Sequence, residues 1–219
     1  MTIDYAKARE TMVEQQVRPW DVFQPRILDV LARLPRERFV AESHRALAYS
    51  DLALPLGHGE SMMKPVLEGR TLQSLSVTAG EDVLEIGTGS GYLTACLGNL
   101  ARDVVSLELR ADFADAARAR LQSLGIGNAR IDVADAFAWE TDRRFDAICV
   151  GGAVAALPTV FLKWLRPGGR MFVVHGQAPA METALVRHAA SGAGHDVESL
   201  FETELPYLVG GAPTPTFQL

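Results

Sequence analysis

Asp82-Val83-Leu84-Glu85-Ile86-Gly87-Thr88-Gly89-Ser90-Gly91-Tyr92 decides the fold. The apolar run from Val83 to Ile86 has the length of a buried strand and stops at three alternating glycines. Glycine tolerates left-handed backbone and lets the main chain approach a ligand closely. A helical pattern follows at once, so the free N–H groups at its start face whatever the turn holds. Strand, glycine turn and helix together predict a nucleotide-type ligand, set against the plainer reading of a tight turn. The dinucleotide fingerprint places its third glycine three positions after the second, and Tyr92 stands there instead.

Outward from this turn, strand and helix alternate. Residues 91–100 read as a helix, and residues 104–107 as a strand closed by Glu108. Residues 113–124 read as a helix with Gly125 as its C-cap. Strands are predicted at 129–133, 146–150 and 170–174, with a short helical piece at 161–165. This pattern implies a mostly parallel sheet with helices on both faces. Residues 183–188 and 197–205 alternate with period two around Ser191 and Gly194, which predicts an antiparallel edge hairpin. Residues 210–219 form a Pro/Thr-rich irregular end.

Ahead of the core, residues 4–18 and 24–34 carry helical periodicity, punctuated by Pro19, Pro25 and Pro35. Turn chemistry fills residues 52–65, and a helix is predicted at 66–75. Residues 1–78 thus read as a helical extension with a loop, packed on a core of residues 79–219 within one compact domain.

With 219 residues the chain can bury a full core. A net charge of −6 argues against general nucleic-acid binding, which needs a basic surface. Arg33, Arg36 and Arg38 fall close together and read as a local basic patch or, more plainly, as a solvated helix end. Cys96 and Cys149 are far apart, lack metal spacing and sit in apolar stretches, so buried thiols in a reducing compartment are expected. The first twenty residues are polar and charged, unlike a secretory leader. The longest uncharged stretch, 147–162, is too short to span a bilayer and contains Gly151, Gly152 and Pro158. The expectation is a cytoplasmic protein without metal or membrane.

In an open α/β sheet, ligands bind beyond the carboxyl ends of the strands. Glu108 ends the second core strand, and a carboxylate there suits two ribose hydroxyls; the plainer reading is a solvated strand end. Asp135 follows the third, where it suits an adenine amine or serves as a helix N-cap. Glu85 is placed to steady the turn or a bound water. The Gly-x-Gly-x-Gly form with Glu85 before it resembles the S-adenosyl-L-methionine loop of Rossmann-like methyltransferases. Acids also suit a sulfonium cation better than an anionic pyrophosphate.

The resemblance extends further. Residues 12–19 (Met-Val-Glu-Gln-Gln-Val-Arg-Pro), 35–40 (Pro-Arg-Glu-Arg-Phe-Val), 48–51 (Ala-Tyr-Ser-Asp), 54–57 (Leu-Pro-Leu-Gly) and 85–92 are similar to those of protein-L-isoaspartate O-methyltransferases. The resemblance implies a Rossmann-like, doubly wound, mostly parallel seven-stranded sheet with the antiparallel hairpin at its end. It implies S-adenosyl-L-methionine as cofactor and S-adenosyl-L-homocysteine as product. Glu85, Gly87, Thr88, Gly89, Ser90, Gly91, Tyr92, Glu108, Leu109, Asp135 and Ala136 would hold the cofactor. The acceptor would be the isoaspartyl carboxylate of a damaged protein, whose methyl ester collapses to a succinimide. A carboxylate is ionised at neutral pH, so such a transfer needs no general base.

Two departures bear on the acceptor. The family loop commonly reads Gln-Thr-Ile-Ser-x-Pro, its serine engaging the acceptor carboxylate. Here Glu60-Ser61-Met62-Met63-Lys64-Pro65 puts Met63 at the serine position. Ser61 stands at the threonine position and does not simply replace that hydroxyl, and Lys64 beside Met63 reads either as an ammonium that attracts an acceptor carboxylate or as a solvent-facing residue. After the fifth core strand the chain reads Val173-Val174-His175-Gly176 where a Val-Pro-Val-Gly-like turn is common. His175 and His58 are therefore candidate bases for a small hydroxylated acceptor, or else surface residues. A cofactor-binding protein without repair activity is the third reading.

Overall fold

The structure, a computed structural model, describes residues 3–191 and 194–214. The Asp4 carboxylate accepts the Lys7 N–H at 3.0 Å and caps α1 (Tyr5–Met12). The helix continues through a π turn at Val13–Val17 and a 3-10 turn at Arg18–Trp20. Pro25 opens α2 (Pro25–Arg33), which buries Ile27, Leu28, Val30 and Leu31. Turn chemistry at 52–65 resolves into an antiparallel hairpin, β1 (Leu54–Gly57) and β2 (Glu60–Met62). His58 at φ 52 and Gly59 at φ 80 supply the two left-handed residues that a tight hairpin turn requires. α3 (Pro65–Leu75) follows directly.

The core then runs β3 (Asp82–Ile86), α4 (Tyr92–Leu100), β4 (Asp103–Glu108), α5 (Ala111–Ser123) and β5 (Ala129–Val133). It continues through β6 (Phe145–Val154), α6 (Thr159–Leu162), β7 (Leu165–Gln177), β8 (Ala180–His188) and β9 (His195–Glu202). One seven-stranded sheet has the order β5-β4-β3-β6-β7-β8-β9. The strands from β5 to β7 are parallel, and β8 and β9 are antiparallel. The doubly wound sheet with a terminal hairpin is as expected. From β3 the chain winds one way to β4 and returns to the other side as β6. The switch point therefore lies beyond Ile86 and Val150.

All five residues of β3 are buried. Val83 joins the apolar cluster under α2, α3, α4 and α5, while Leu84 and Ile86 join the cluster on the opposite face. That second face is covered thinly. Pro158 and the Pro167-Gly168-Gly169 segment bracket α6, and residues 134–144 form no helix. Aromatic side chains supply the area instead. Phe161 and Trp164 stack at 5.5 Å, and Trp139 meets Trp164 edge-on at 5.0 Å.

Strand limits differ from expectation at several places, β8 for one starting at Ala180 rather than at residue 183. β6 outlasts Val150, running through Gly151 and Gly152 past a bulge. β7 starts at Leu165, five residues before Arg170. β9 stops at Glu202, after which Tyr207 returns to pair beside Ala153. Residues 215–219 of the expected irregular tail, and 192–193 of the expected hairpin turn, lie outside the described residues. Cys96 and Cys149 are buried and unpaired. Arg36 is not part of a solvated helix end; it is completely buried. Among the described residues, no helix is long and apolar enough to cross a membrane.

Candidate active site

Gly87, Gly89 and Gly91 adopt φ of 91°, 50° and 82°, a conformation that side chains with a Cβ rarely accept. At Gly91 a Cβ would also lie 2.9 Å from the Cβ of Ala117, so this glycine lets α5 pack onto the turn. On β6, a Cβ at Gly151 would lie 2.8 Å from the Gly87 carbonyl oxygen. The turn and the end of β6 thus share one floor.

Glu108 ends β4 and is 6% exposed, so it is not a solvated strand end. Its Oε2 accepts the Gly89 N–H at 2.8 Å and its Oε1 accepts the Arg110 N–H at 3.0 Å. Two main-chain donors fix the carboxylate, and each oxygen keeps a further accepting direction. Asp135 Oδ1 accepts the Phe137 N–H at 2.9 Å, an Asx-type turn that holds the acid at the end of β5.

These residues meet in a cleft of about 820 Å³, the solvent at its mouth included. Gly87, Gly89, Glu108, Leu109, Asp135 and Ala136, all expected from sequence, line it together. A smaller cavity adjoins it. Thr88, Ser90, Met63 and Glu68 line this inner space, and Ser61, Gly87 and Gly89 border both. The loop from β2 to α3 therefore meets the glycine turn, and Met63 lines the inner cavity between the two segments' residues.

Glu85, Gly91 and Tyr92 line neither space and support the turn from behind. Glu85 Oε2 accepts hydrogen bonds from Thr94 Oγ1 and Ser106 Oγ, each at 2.5 Å. The Thr88 hydroxyl lies 2.5 Å from Ser106 Oγ, extending the chain into the turn. Glu85 Oε1 is buried and has no hydrogen-bond partner among the described residues. Burial pushes the Glu85 carboxyl up to about 7; the Ser106 and Thr94 hydrogen bonds oppose that rise, and Glu108 adds to it. The Tyr92 ring is buried edge-on against Phe39 at 5.3 Å.

The remaining candidates stand apart. His58 is exposed; its Nε2 lies 2.9 Å from Asp112, and its ring meets Phe113 at 5.4 Å. His175, on β7, lies 3.9 Å from Glu182. Neither histidine lines the cleft or the inner cavity, and nothing brings the two together. Lys64 is exposed and lines neither space.

Sequence reasoning missed part of the wall. Gly151 and Gly152 line the cleft, and a double glycine at a strand end carries the same signal as Gly87 and Gly89. Leu205 to Val209 also line it, held where Ala153 N–H donates to the Pro206 carbonyl at 2.8 Å and Leu208 N–H donates to the Ala153 carbonyl at 2.9 Å. Nothing local in that segment announces the return. Arg110 reaches Glu60 at 3.4 Å across the cleft, linking β2 to the start of α5.

The family described as protein-L-isoaspartate(D-aspartate) O-methyltransferase (PCMT) matches residues 7–197. Protein-L-isoaspartate O-methyltransferase 1 of Syntrophobacter fumaroxidans is 37% identical, covering 88% of this chain and 91% of that protein. The protein-L-isoaspartate O-methyltransferase of Brucella anthropi is 32% identical, covering 97% and 98%. A Plasmodium falciparum structure, described as a PCMT in complex with S-adenosyl-L-homocysteine, superposes with a TM-score of 0.80. It is 19% identical and the match covers 91% of this chain and 97% of that one, a likeness of fold.

Proposed function

The chain belongs to the protein-L-isoaspartate(D-aspartate) O-methyltransferase family, and from that premise we propose that it methylates the free carboxylate of isoaspartyl residues in damaged proteins. The methyl donor is S-adenosyl-L-methionine and the product is S-adenosyl-L-homocysteine. The observation that carries this reading is the meeting of Gly87, Gly89, Glu108 and Asp135 in one cleft at the switch point.

The residues suit that donor. Glu108, already fixed by two main-chain N–H groups, has accepting directions left for ribose hydroxyls. Asp135, with Leu109 and Ala136 beside it, is placed for the adenine. The turn from Gly87 to Gly91 takes the remainder, and the acids of the site suit a cation. When bound, the donor supplies an electrophilic methyl group on sulfur. The protein then aligns and excludes water. Residues 79–219 hold the donor, and residues 1–78 bring the acceptor wall to it. The two buried free cysteines support a reducing, cytoplasmic setting.

An ionised acceptor needs no base, and the placement of His58 and His175 outside both spaces agrees with that. Ser61, bordering cleft and inner cavity alike, is the loop hydroxyl best placed to meet an acceptor carboxylate. The small-hydroxyl acceptor has no comparable support.

The test is transfer of labelled methyl to an isoaspartyl peptide and to its aspartyl twin. Transfer to the first alone is expected. No transfer, with S-adenosyl-L-homocysteine still bound, removes repair as the activity. Met63→Ser should raise kcat/KM for the isoaspartyl peptide about tenfold, the worth of one recovered hydrogen bond to a carboxylate. An unchanged rate would mean that position 63 does not limit acceptor binding.

A further inference from the structure

Arg36 has no solvent exposure at all, which is unusual for an arginine. Its guanidinium reaches three separate segments. Nε donates to the Ala48 carbonyl at 2.8 Å, and Nη2 donates to the Met63 carbonyl at 2.5 Å. Nη1 is paired with the Glu68 carboxylate on α3. The plane lies 4.9 Å from the centre of the Tyr92 ring, at the start of α4. One side chain therefore ties the loop that carries Met63 to α3 and to the helix that follows the glycine turn.

Glu68 is the other half of the device. It is 2% exposed, and it lines the inner cavity with Ser61, Met63, Thr88 and Ser90. A buried pair of this kind gains little net stability over an apolar pair, so its value lies in geometry. A planar guanidinium fixes the direction of each bond it makes, which a flexible ammonium does not.

We propose that Arg36 and Glu68 are positioning residues for methyl transfer, setting the Met63 segment against the glycine turn and so fixing the acceptor subsite. Arg36 acts through the Met63 carbonyl and touches neither space itself. The kinetic part of this inference rests on the isoaspartyl reading above; the structural part does not.

A pH dependence follows from the same geometry. Burial pushes the Glu68 carboxyl up to about 7, against the pull of Arg36, with Asp51 adding to the rise. The groups around the pair are Arg36 itself, Asp51 ahead of β1, and Tyr92 and Cys96 on α4. Protonation of Glu68 removes the ionic partner of Arg36 while leaving its two carbonyl bonds. The acceptor subsite should loosen as pH falls through the neutral range. Glu85 titrates in the same range, but it supports the donor turn; acceptor KM and donor-product affinity separate the two.

The experiment compares the full-length wild type with Glu68→Gln and Arg36→Lys. In Glu68→Gln, the KM for an isoaspartyl peptide should rise at least about fivefold, while S-adenosyl-L-homocysteine affinity stays within about twofold. The acidic limb of the wild-type kcat/KM profile should flatten. Hydrogen exchange of a peptide covering residues 61–64 should accelerate about tenfold, with β8 and β9 unchanged. Unchanged KM and unchanged exchange would overturn the inference. Equal acceleration across the whole chain would also overturn it, because the pair would then be merely structural. Should the wild type transfer no methyl to the peptide, the isoaspartyl reading fails and the exchange comparison still decides. Glu68→Gln carries the test by itself if Arg36→Lys does not fold.

Discussion

The two ends of β3 hold their acids in opposite conditions. At the entering end, Asp82 meets Arg102 at 2.7 Å and Arg166 at 2.8 Å, with Arg143 at 3.6 Å. Its own N–H donates to Asp146 at 2.8 Å, and Arg170 pairs with the neighbouring Glu81 at 2.7 Å. Burial works against ionising Asp82, but the hydrogen bonds from Arg102 and Arg166 outweigh it and hold the carboxyl below its ordinary range. At the leaving end, Glu85 has hydroxyl partners on one oxygen and none on the other. The contrast separates two uses of buried charge. A fully paired acid anchors the sheet at one end, and an acid with one unpaired oxygen stands behind the turn where a ligand is expected at the other.

The largest expected effect lies beside the leaving end of β3, at the end of the neighbouring β4. Glu108→Ala removes the acceptor of the Gly89 and Arg110 N–H groups together with the proposed ribose contacts. Affinity for S-adenosyl-L-homocysteine, measured by calorimetry, should fall by about 10- to 100-fold, as loss of charge-assisted hydrogen bonds implies. An unchanged affinity would mean that the two ends do not differ in the way described.

Next comes the entering end. Asp82→Ala removes the acid shared by Arg102, Arg143 and Arg166, although Arg166 keeps Asp146 and Arg143 keeps Asp103; the change should cost about 1 kcal/mol in denaturant unfolding. Donor-product affinity should stay within about twofold. A large loss of affinity with little loss of stability would reverse the comparison.

The pH dependence of stability sharpens it further. The Glu85 carboxyl rises from an ordinary 4.5 to about 7, so the folded protein holds that proton to higher pH than the unfolded chain. Its contribution to stability is present below 4.5 and is lost as pH climbs to about 7. Asp82 runs the other way: its contribution is present above its ordinary range and is lost as pH falls below it. Glu85→Gln should flatten the stability profile between those limits by roughly 1 kcal/mol per pH unit. The same slope in wild type and variant would remove Glu85 as its source.

The smallest effect is expected at His58. Its contact with Asp112 is exposed, and such surface pairs contribute little. His58→Ala should leave kcat within about twofold. A loss of two orders of magnitude would bring back a base-dependent acceptor.

The sequence made much of the core legible because its signals were local. The run from Val83 to Ile86 and the glycines after it specify strand and turn with no help from distant residues. The acids at the ends of β4 and β5 followed from their position after each strand. Three features were out of reach for one physical reason, namely that long-range packing creates them. The buried state of Arg36 depends on Glu68, 32 residues away. The return of Leu205 to Val209 depends on main-chain bonds to Ala153. The distance of His175 from the cleft depends on how far β7 extends. The β1–β2 hairpin is a different case, because the left-handed residue after Gly57 is a histidine, which masks a turn signal that Asn-Gly would have made plain.

In the proposed complex the cleft beyond β3 takes the methyl donor, with its nucleoside between Glu108 at the end of β4 and Asp135 after β5. A crystal structure with S-adenosyl-L-homocysteine tests it most directly. Both ribose hydroxyls should lie within hydrogen-bond reach of Glu108, about 2.5 to 3.0 Å, with the adenine beside Asp135. A nucleoside bound elsewhere, with Glu108 still holding only its two main-chain donors, would contradict it.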